Sequence, residues 1–172
     1  NVSGLGRRQV LGLLAAPLFG RLAQAEVFPQ RVAAIDWAML ETVMALGVRP
    51  VAATELIQFR KDSVEPAVPE TVADLGLRGS PNFELLYLLR PELILISPFY
   101  TRYQQQLEAI APTMSLPFYV KGEPPFGKAL AAVTALGERL GRSTQAQEVL
   151  QQAGHLLETM RERLSPYANR PT

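Results

Sequence analysis

No cysteine occurs in the 172 residues, so the chain has no disulfide framework and no thiolate metal site, and its stability must come from a packed core. Histidine is almost as scarce. The single His155 lies inside a long helical pattern, which leaves a Ser-His-Asp triad or an imidazole metal centre almost nothing to be built from. No glycine-rich phosphate loop follows any strand-like run, since Gly76-Leu77-Arg78-Gly79 is too sparse to cradle a phosphate. Tryptophan appears once, at Trp37. Excess positive charge is missing too: 17 basic side chains face 16 acidic ones, which excludes a basic nucleic-acid footprint. Finally, the longest apolar run near the N-terminus, Val10 to Phe19, is too short for a bilayer, which needs about 20 residues.

That run does have a reading. Arg7 and Arg8 precede it and Ala23-Gln24-Ala25 follows it, the pattern of an export signal cleaved between Ala25 and Glu26. The paired arginines fit the twin-arginine pathway, and Arg21, between the apolar run and the cleavage triplet, is a charge that ordinary secretion signals usually lack. A bacterial periplasm is the expected location. Removing residues 1–25 takes away three arginines and no acids, leaving 14 basic against 16 acidic side chains, a charge of −2. The remaining 147 residues match one domain with a core of its own. The start at Asn1 rather than Met and the stop at Asn169-Arg170-Pro171-Thr172 predict a chain cut at a junction between elements.

β-rich runs alternate with helical patterns along the rest. Arg31–Ile35, Trp37–Leu46 with Gly47 as its stop, and Pro50–Thr54 form a β-α-β unit. Glu55–Glu70 has neither period and predicts a long loop, a kind that is often functional. Val72–Leu75 is a short extended run; Ser80-Pro81 predicts the cap and first position of a helix over Pro81–Leu89. Leu93–Ser97 has the continuous apolar character of a strand buried on both faces. Tyr103–Ile110 predicts a helix, Leu116–Val120 a strand, and Pro125–Leu140 an amphipathic helix closed by Gly141. The alternation predicts an α/β fold, a mainly parallel sheet flanked by helices with right-handed crossovers.

The last element is different. From the capping pair Ser143-Thr144 to Leu164, Ala146, Val149, Leu150, Ala153, Leu156, Leu157, Met160 and Leu164 follow the 3.6-residue period and form one stripe. No strand follows for this helix to cross back to, so it is expected to act as a connector; a terminal helix packed on its own sheet is the plainer alternative.

In an open parallel sheet, ligands bind where the loops leave the carboxyl ends of the strands. That rule selects Asp36 and Trp37; then Phe59, Arg60 and Lys61; then Arg78 and Ser80; then Phe99, Tyr100, Arg102 and Tyr103; and last Lys121. The set is aromatic and cationic, with no pair suited to catalysis. Each residue also has an ordinary role open to it: Trp37 as a core residue of its helix, Arg78 in a surface ion pair, Tyr100 against the sheet end. Taken together they describe a binding module for a small, partly apolar ligand bearing oxygen acceptors.

Four segments carry a resemblance to a known family: Arg31–Trp37 (RVAAIDW), Ala45–Val51 (ALGVRPV), Asp74–Leu86 (DLGLRGSPNFELL) and Arg90–Ser97 (RPELILIS). Together they resemble the periplasmic iron-siderophore-binding proteins of ABC importers, above all the ferric hydroxamate (ferrichrome) type. The similarity runs from about Arg31 to Pro171, and the stretch from Gly76 to Leu86 is its most specific part. The resemblance implies two lobes joined by one long helix, with the siderophore in a shallow cleft between them. Residues 26–142 would then be the N-terminal lobe, residues 143–165 the connecting helix, and residues 166–172 the start of a C-terminal lobe. It further implies ligand contacts from Trp37, Arg78 and Tyr100, no enzymatic activity, and no resident cofactor, the ligand being an iron(III)-siderophore chelate. The partners implied are an inner-membrane ABC permease and no nucleic acid, with the complete protein a monomer.

Two departures stand out. A further cleft tryptophan of the hydroxamate binders falls near Asp62, in a stretch where Phe59 supplies the aromatic contact instead, and the permease-docking glutamate falls on Gln105, with Glu108 one turn on. A binder of another iron chelate, haem or cobalamin, or an inactive truncated fragment of such a protein, stays open at this point. An enzyme on a doubly wound sheet is disfavoured because no nucleophile-base pair or cofactor loop is present.

Overall fold

The computed structural model describes residues 27–63 and 65–167. The export signal expected over residues 1–25 and the terminal tetrapeptide 169–172 lie outside the described residues.

Among these, β1 (Val32–Ala34), β2 (Ala52–Ala53), β3 (Ala73–Asp74), β4 (Leu93–Ile96) and β5 (Thr113–Ser115) form one sheet in the order β3-β2-β1-β4-β5. Every pairing is parallel. The connecting helices are α1 (Trp37–Ala45), α2 (Leu56–Asp62), α3 (Phe83–Leu89), α4 (Gln104–Glu108) and α5 (Pro125–Arg139), followed by the long α6 (Ser143–Leu164). Because side chains alternate across a strand, β1 sends Val32 and Ala34 to one face and Ala33 and Ile35 to the other. The first face packs on α1, α2, α5 and the start of α6; the second packs on α3 and α4. All four residues of β4 are buried, as their continuous apolar run predicts. Each such side chain contributes roughly 1.5–3 kcal/mol by leaving water.

The sequence-based expectations hold for the sheet and for the bounds of α6, and fail at five places. Glu55–Glu70 is not simply a loop, since Leu56–Asp62 is helical. Only two apolar residues, Leu56 and Phe59, mark its buried face, so a helix of seven residues leaves no period to detect. α3 begins at Phe83 rather than Pro81, because Asn82 is its cap: Asn82 Oδ1 accepts the Leu85 N–H at 2.9 Å. The helix expected over Tyr103–Ile110 is shortened to α4, and a 3₁₀ segment, Pro98–Tyr103, precedes it. The last strand is Thr113–Ser115 and not Leu116–Val120, where Pro117 has no N–H for a ladder and Phe118 turns into the core. Finally, Arg142 occupies the cap position of α6 with no side-chain capping bond, so Ser143 is a helical residue and not the cap.

α6 is anchored by its first turns. Ala146 is buried against α5, where Gly137 lets the helices approach so closely that an added Cβ would stand 2.5 Å from the Ala146 Cβ. Val149 and Leu150 continue the packing, whereas Leu156, Met160 and Leu164 further along are exposed.

Candidate functional site

The strand order has β1 at its centre, and the chain proceeds outward first through β2 and β3 and then through β4 and β5. The loops leaving β1 and β4 therefore diverge, the topological switch point at which such sheets take ligands. Two side chains close it at the base. Asp36, the cap of α1, accepts the Ala38 N–H through Oδ1 at 2.8 Å and the Ser97 hydroxyl through Oδ2 at 2.8 Å, which ties the end of β1 to the end of β4.

Trp37 is fixed beside this clasp. Its indole Nε1 donates to the Thr54 carbonyl at 3.2 Å, and Thr54 in turn donates its hydroxyl to the Ile35 carbonyl at 2.7 Å. Phe59 meets the indole edge to face with centroids 5.2 Å apart, and is itself buried. Arg78 lies over the indole ring, its guanidinium carbon 4.5 Å from the ring centroid.

Arg78 reaches that position because Glu55 holds it from two sides. Glu55 Oε1 accepts the Arg78 backbone N–H at 3.1 Å, and Oε2 accepts Arg78 Nε at 2.6 Å. Glu55 is a non-glycine residue in the left-handed region, with φ 53° and ψ 38°, a conformation that costs roughly 1–2 kcal/mol. Its backbone N–H donates to the Gly76 carbonyl at 2.8 Å, so the turn after β2 is locked to the turn after β3.

Tyr100 completes the group from the 3₁₀ segment after β4, its backbone N–H bonded to the Ser97 carbonyl at 2.9 Å. Burial, foremost, and then the Asp36 carboxylate push its phenol above the ordinary value of 10.0. The positive charge of the Arg78 guanidinium pulls it partly back. The hydroxyl is thus a proton donor throughout the ordinary pH range.

Four of the residues expected from the strand-end rule, Asp36, Trp37, Arg78 and Tyr100, therefore converge, with Phe59 behind Trp37 rather than at the surface. Others go elsewhere. Arg60 turns to the Val68 and Pro69 carbonyls and to Glu70, and Arg102 lies over the Tyr103 ring, 4.7 Å from its centroid. Tyr103 donates its hydroxyl to the Gly79 carbonyl. Ser80, Phe99, Lys61 and Lys121 are exposed, and Asp62 accepts from Gln58 within α2. His155 is exposed on α6. Glu55, Thr54 and Ser97 are the members that sequence reasoning missed, although they leave the carboxyl ends of β2 and β4; the rule that selected Trp37 and Arg78 applies equally to them.

A large depression among the described residues lies apart from this cluster. It is an open apolar groove of about 750 Å³ between α3 and α4, lined by Phe83, Tyr87, Leu88, Ala109 and Ile110, with Glu84 and Gln106 alongside. It holds no arginine and none of the strand-end residues.

The chain belongs to the periplasmic binding protein family, whose model matches residues 32–171. It is 30% identical to the iron(3+)-hydroxamate-binding protein FhuD of Escherichia coli, over 97% of this chain and 57% of that protein. The Fe(3+)-citrate-binding protein YfmC of Bacillus subtilis is 25% identical, over 83% of this chain and 44% of that one. Among solved structures, FhuD of Vibrio cholerae with bound Fe3+-Desferal superposes with a TM-score of 0.74 at 30% identity, covering 78% of this chain and 50% of its own. The chain spans about half the length of these relatives.

Proposed function

We propose that the protein captures a ferric hydroxamate siderophore in the periplasm and delivers it to an inner-membrane ABC permease, this chain supplying the N-terminal lobe and the connecting helix. The observation that carries the reading is the Arg78 guanidinium held over Trp37 beside the Tyr100 phenol. In a ferric trihydroxamate the iron is already saturated by ligand oxygens, so a binder needs hydrogen-bond donors and not metal ligands. A guanidinium offers paired donors in a fixed plane, which an ammonium does not. The indole and phenol rings add apolar surface for the chelate, and Phe59 serves by holding the indole upright.

On this reading the ligand surface is open on this lobe, and the second lobe supplies the other wall. The exposed distal stripe of α6, Leu156, Met160 and Leu164, suits a helix that joins two lobes. Docking on the permease is assigned to the α4 surface, where Gln105 is exposed and Glu108 stays ionised. Bonds from Gln104 Nε2 at 2.7 Å and the Thr113 hydroxyl at 2.9 Å hold the Glu108 carboxyl below its ordinary value. The twin-arginine signal would export the folded protein.

The direct test is calorimetric titration of the protein expressed from its complete gene with ferric desferrioxamine, ferric citrate and haem. Saturable, tightest binding of the hydroxamate supports the reading. Preference for citrate, the ligand named for the Bacillus relative, would move the assignment to another iron chelate.

A further inference from the structure

The donor arginine of this site does not act as a free cation. Glu55 binds it through both carboxylate oxygens, one at the backbone N–H and one at Nε, and so directs the rest of the guanidinium outward over Trp37. The two side chains are 34% exposed for Arg78 and 20% for Glu55, so a ligand on this surface senses both charges. Asp36 is a second carboxylate, bonded to Ser97, and both carboxylates bear on the Tyr100 hydroxyl. Two carboxylates and one guanidinium thus bear on the same phenol. Of the other strand-end cations, Arg60 turns to the Val68 and Pro69 carbonyls and Arg102 to the Tyr103 ring, while Lys61 and Lys121 are exposed.

We propose that Glu55 is a positioning and charge-selecting residue, which presents Arg78 as a hydrogen-bond donor while cancelling its charge, so that the site takes ferric chelates without net negative charge and rejects anionic ones. The proposal rests on the reading of Arg78 and Tyr100 as ligand contacts. Its chemistry follows from ligand charge. Three hydroxamates neutralise iron(III), whereas three catecholates leave a triply negative complex and citrate-type chelates keep ionised carboxylates. An unpaired arginine would draw those anions in; a guanidinium paired with Glu55, at a site that also carries the Asp36 carboxylate, does not.

The test uses the protein from its complete gene with two probes, ferric desferrioxamine and ferric enterobactin, a tris(catecholate). The wild type is expected to favour desferrioxamine by about a hundredfold or more. Glu55→Gln keeps the shape and an acceptor but loses the charge, and should narrow that ratio by about tenfold, chiefly through tighter enterobactin binding. Glu55→Asp, which retains the charge, should keep most of the discrimination, and thermal melting confirms that each variant folds. A second arm needs no variant. Raising salt should tighten wild-type enterobactin binding, because screening weakens the repulsion, and should not tighten desferrioxamine binding.

An unchanged ratio in a folded Glu55→Gln protein, or enterobactin binding that weakens with salt, overturns the charge-selecting role while leaving the siderophore site intact. A wild type that binds neither chelate removes the siderophore reading itself, and this proposal with it.

Discussion

The guanidinium of Arg78 lies 4.5 Å from the centre of the Trp37 ring, and the indole is fixed below it by its bond to the Thr54 carbonyl. Two residues 41 positions apart are joined in this way because β1 and β3 end on the same edge of one parallel sheet. A stacked cation of this kind contributes about 0.5–2 kcal/mol, depending on how far it is desolvated.

Trp37 should therefore report on the site in two ways. With any other tryptophans of the complete protein replaced, Arg78→Ala is expected to shift Trp37 emission before ligand is added, by removing the cation from the ring. Ferric desferrioxamine should then quench Trp37 in the wild type, and the gallium complex, which lacks the absorbing iron, should quench it much less. Emission unaffected at saturation would mean that the ligand sits elsewhere.

Tyr100 gives a prediction in pH. Its raised phenol is protonated in folded and unfolded states alike below the ordinary value of 10.0, so its contribution to stability is fully present there. That contribution is lost as pH climbs through the higher folded value, because the unfolded phenol ionises first. Spectrophotometric titration of wild type against Tyr100→Phe should show the missing phenol as the late-titrating one; a difference spectrum centred at or below pH 10 would refute the burial assigned to it. Removing only the hydroxyl should weaken hydroxamate binding by roughly two- to tenfold, as for one neutral hydrogen bond.

The contact of α5 with α6 predicts opposite outcomes at two glycines. A Cβ at Gly137 would stand 2.5 Å from the Ala146 Cβ and 3.3 Å from the Arg142 carbonyl oxygen, so Gly137→Ala should destabilise by about 1–3 kcal/mol through overpacking. Gly154 lies within α6 with open space around it, and Gly154→Ala should stabilise by about 0.5–1 kcal/mol. Denaturant unfolding of the two variants distinguishes them, and a neutral Gly137→Ala would show that the helices are free to separate.

Much of this was legible in the sequence where a strong local signal agreed with the tertiary fold. β4 is buried on both faces, as its run of Leu93 to Ile96 requires, and α6 runs from Ser143 to Leu164 because its stripe extends over many turns. α2 stayed hidden because seven residues with two apolar anchors carry too little pattern, and the displacement of β5 turned on a single signal, Pro117. The strand-end rule located Trp37, Arg78 and Tyr100 without reference to their contacts. It did not identify Glu55, whose importance lies in a left-handed turn and an ion pair across 23 residues, neither of which has a periodicity.

The central claim is that Arg78 is the charged donor to a ferric hydroxamate, and the dissociation constant of ferric desferrioxamine for Arg78→Ala against wild type, in the protein from its complete gene, measures it most directly. A hydrogen bond to a charged group contributes about 1.5–3 kcal/mol, so Arg78→Ala is expected to weaken binding by about tenfold to a hundredfold, with Arg78→Lys recovering only part of the loss. Equal affinities for wild type and a folded Arg78→Ala protein would contradict the account.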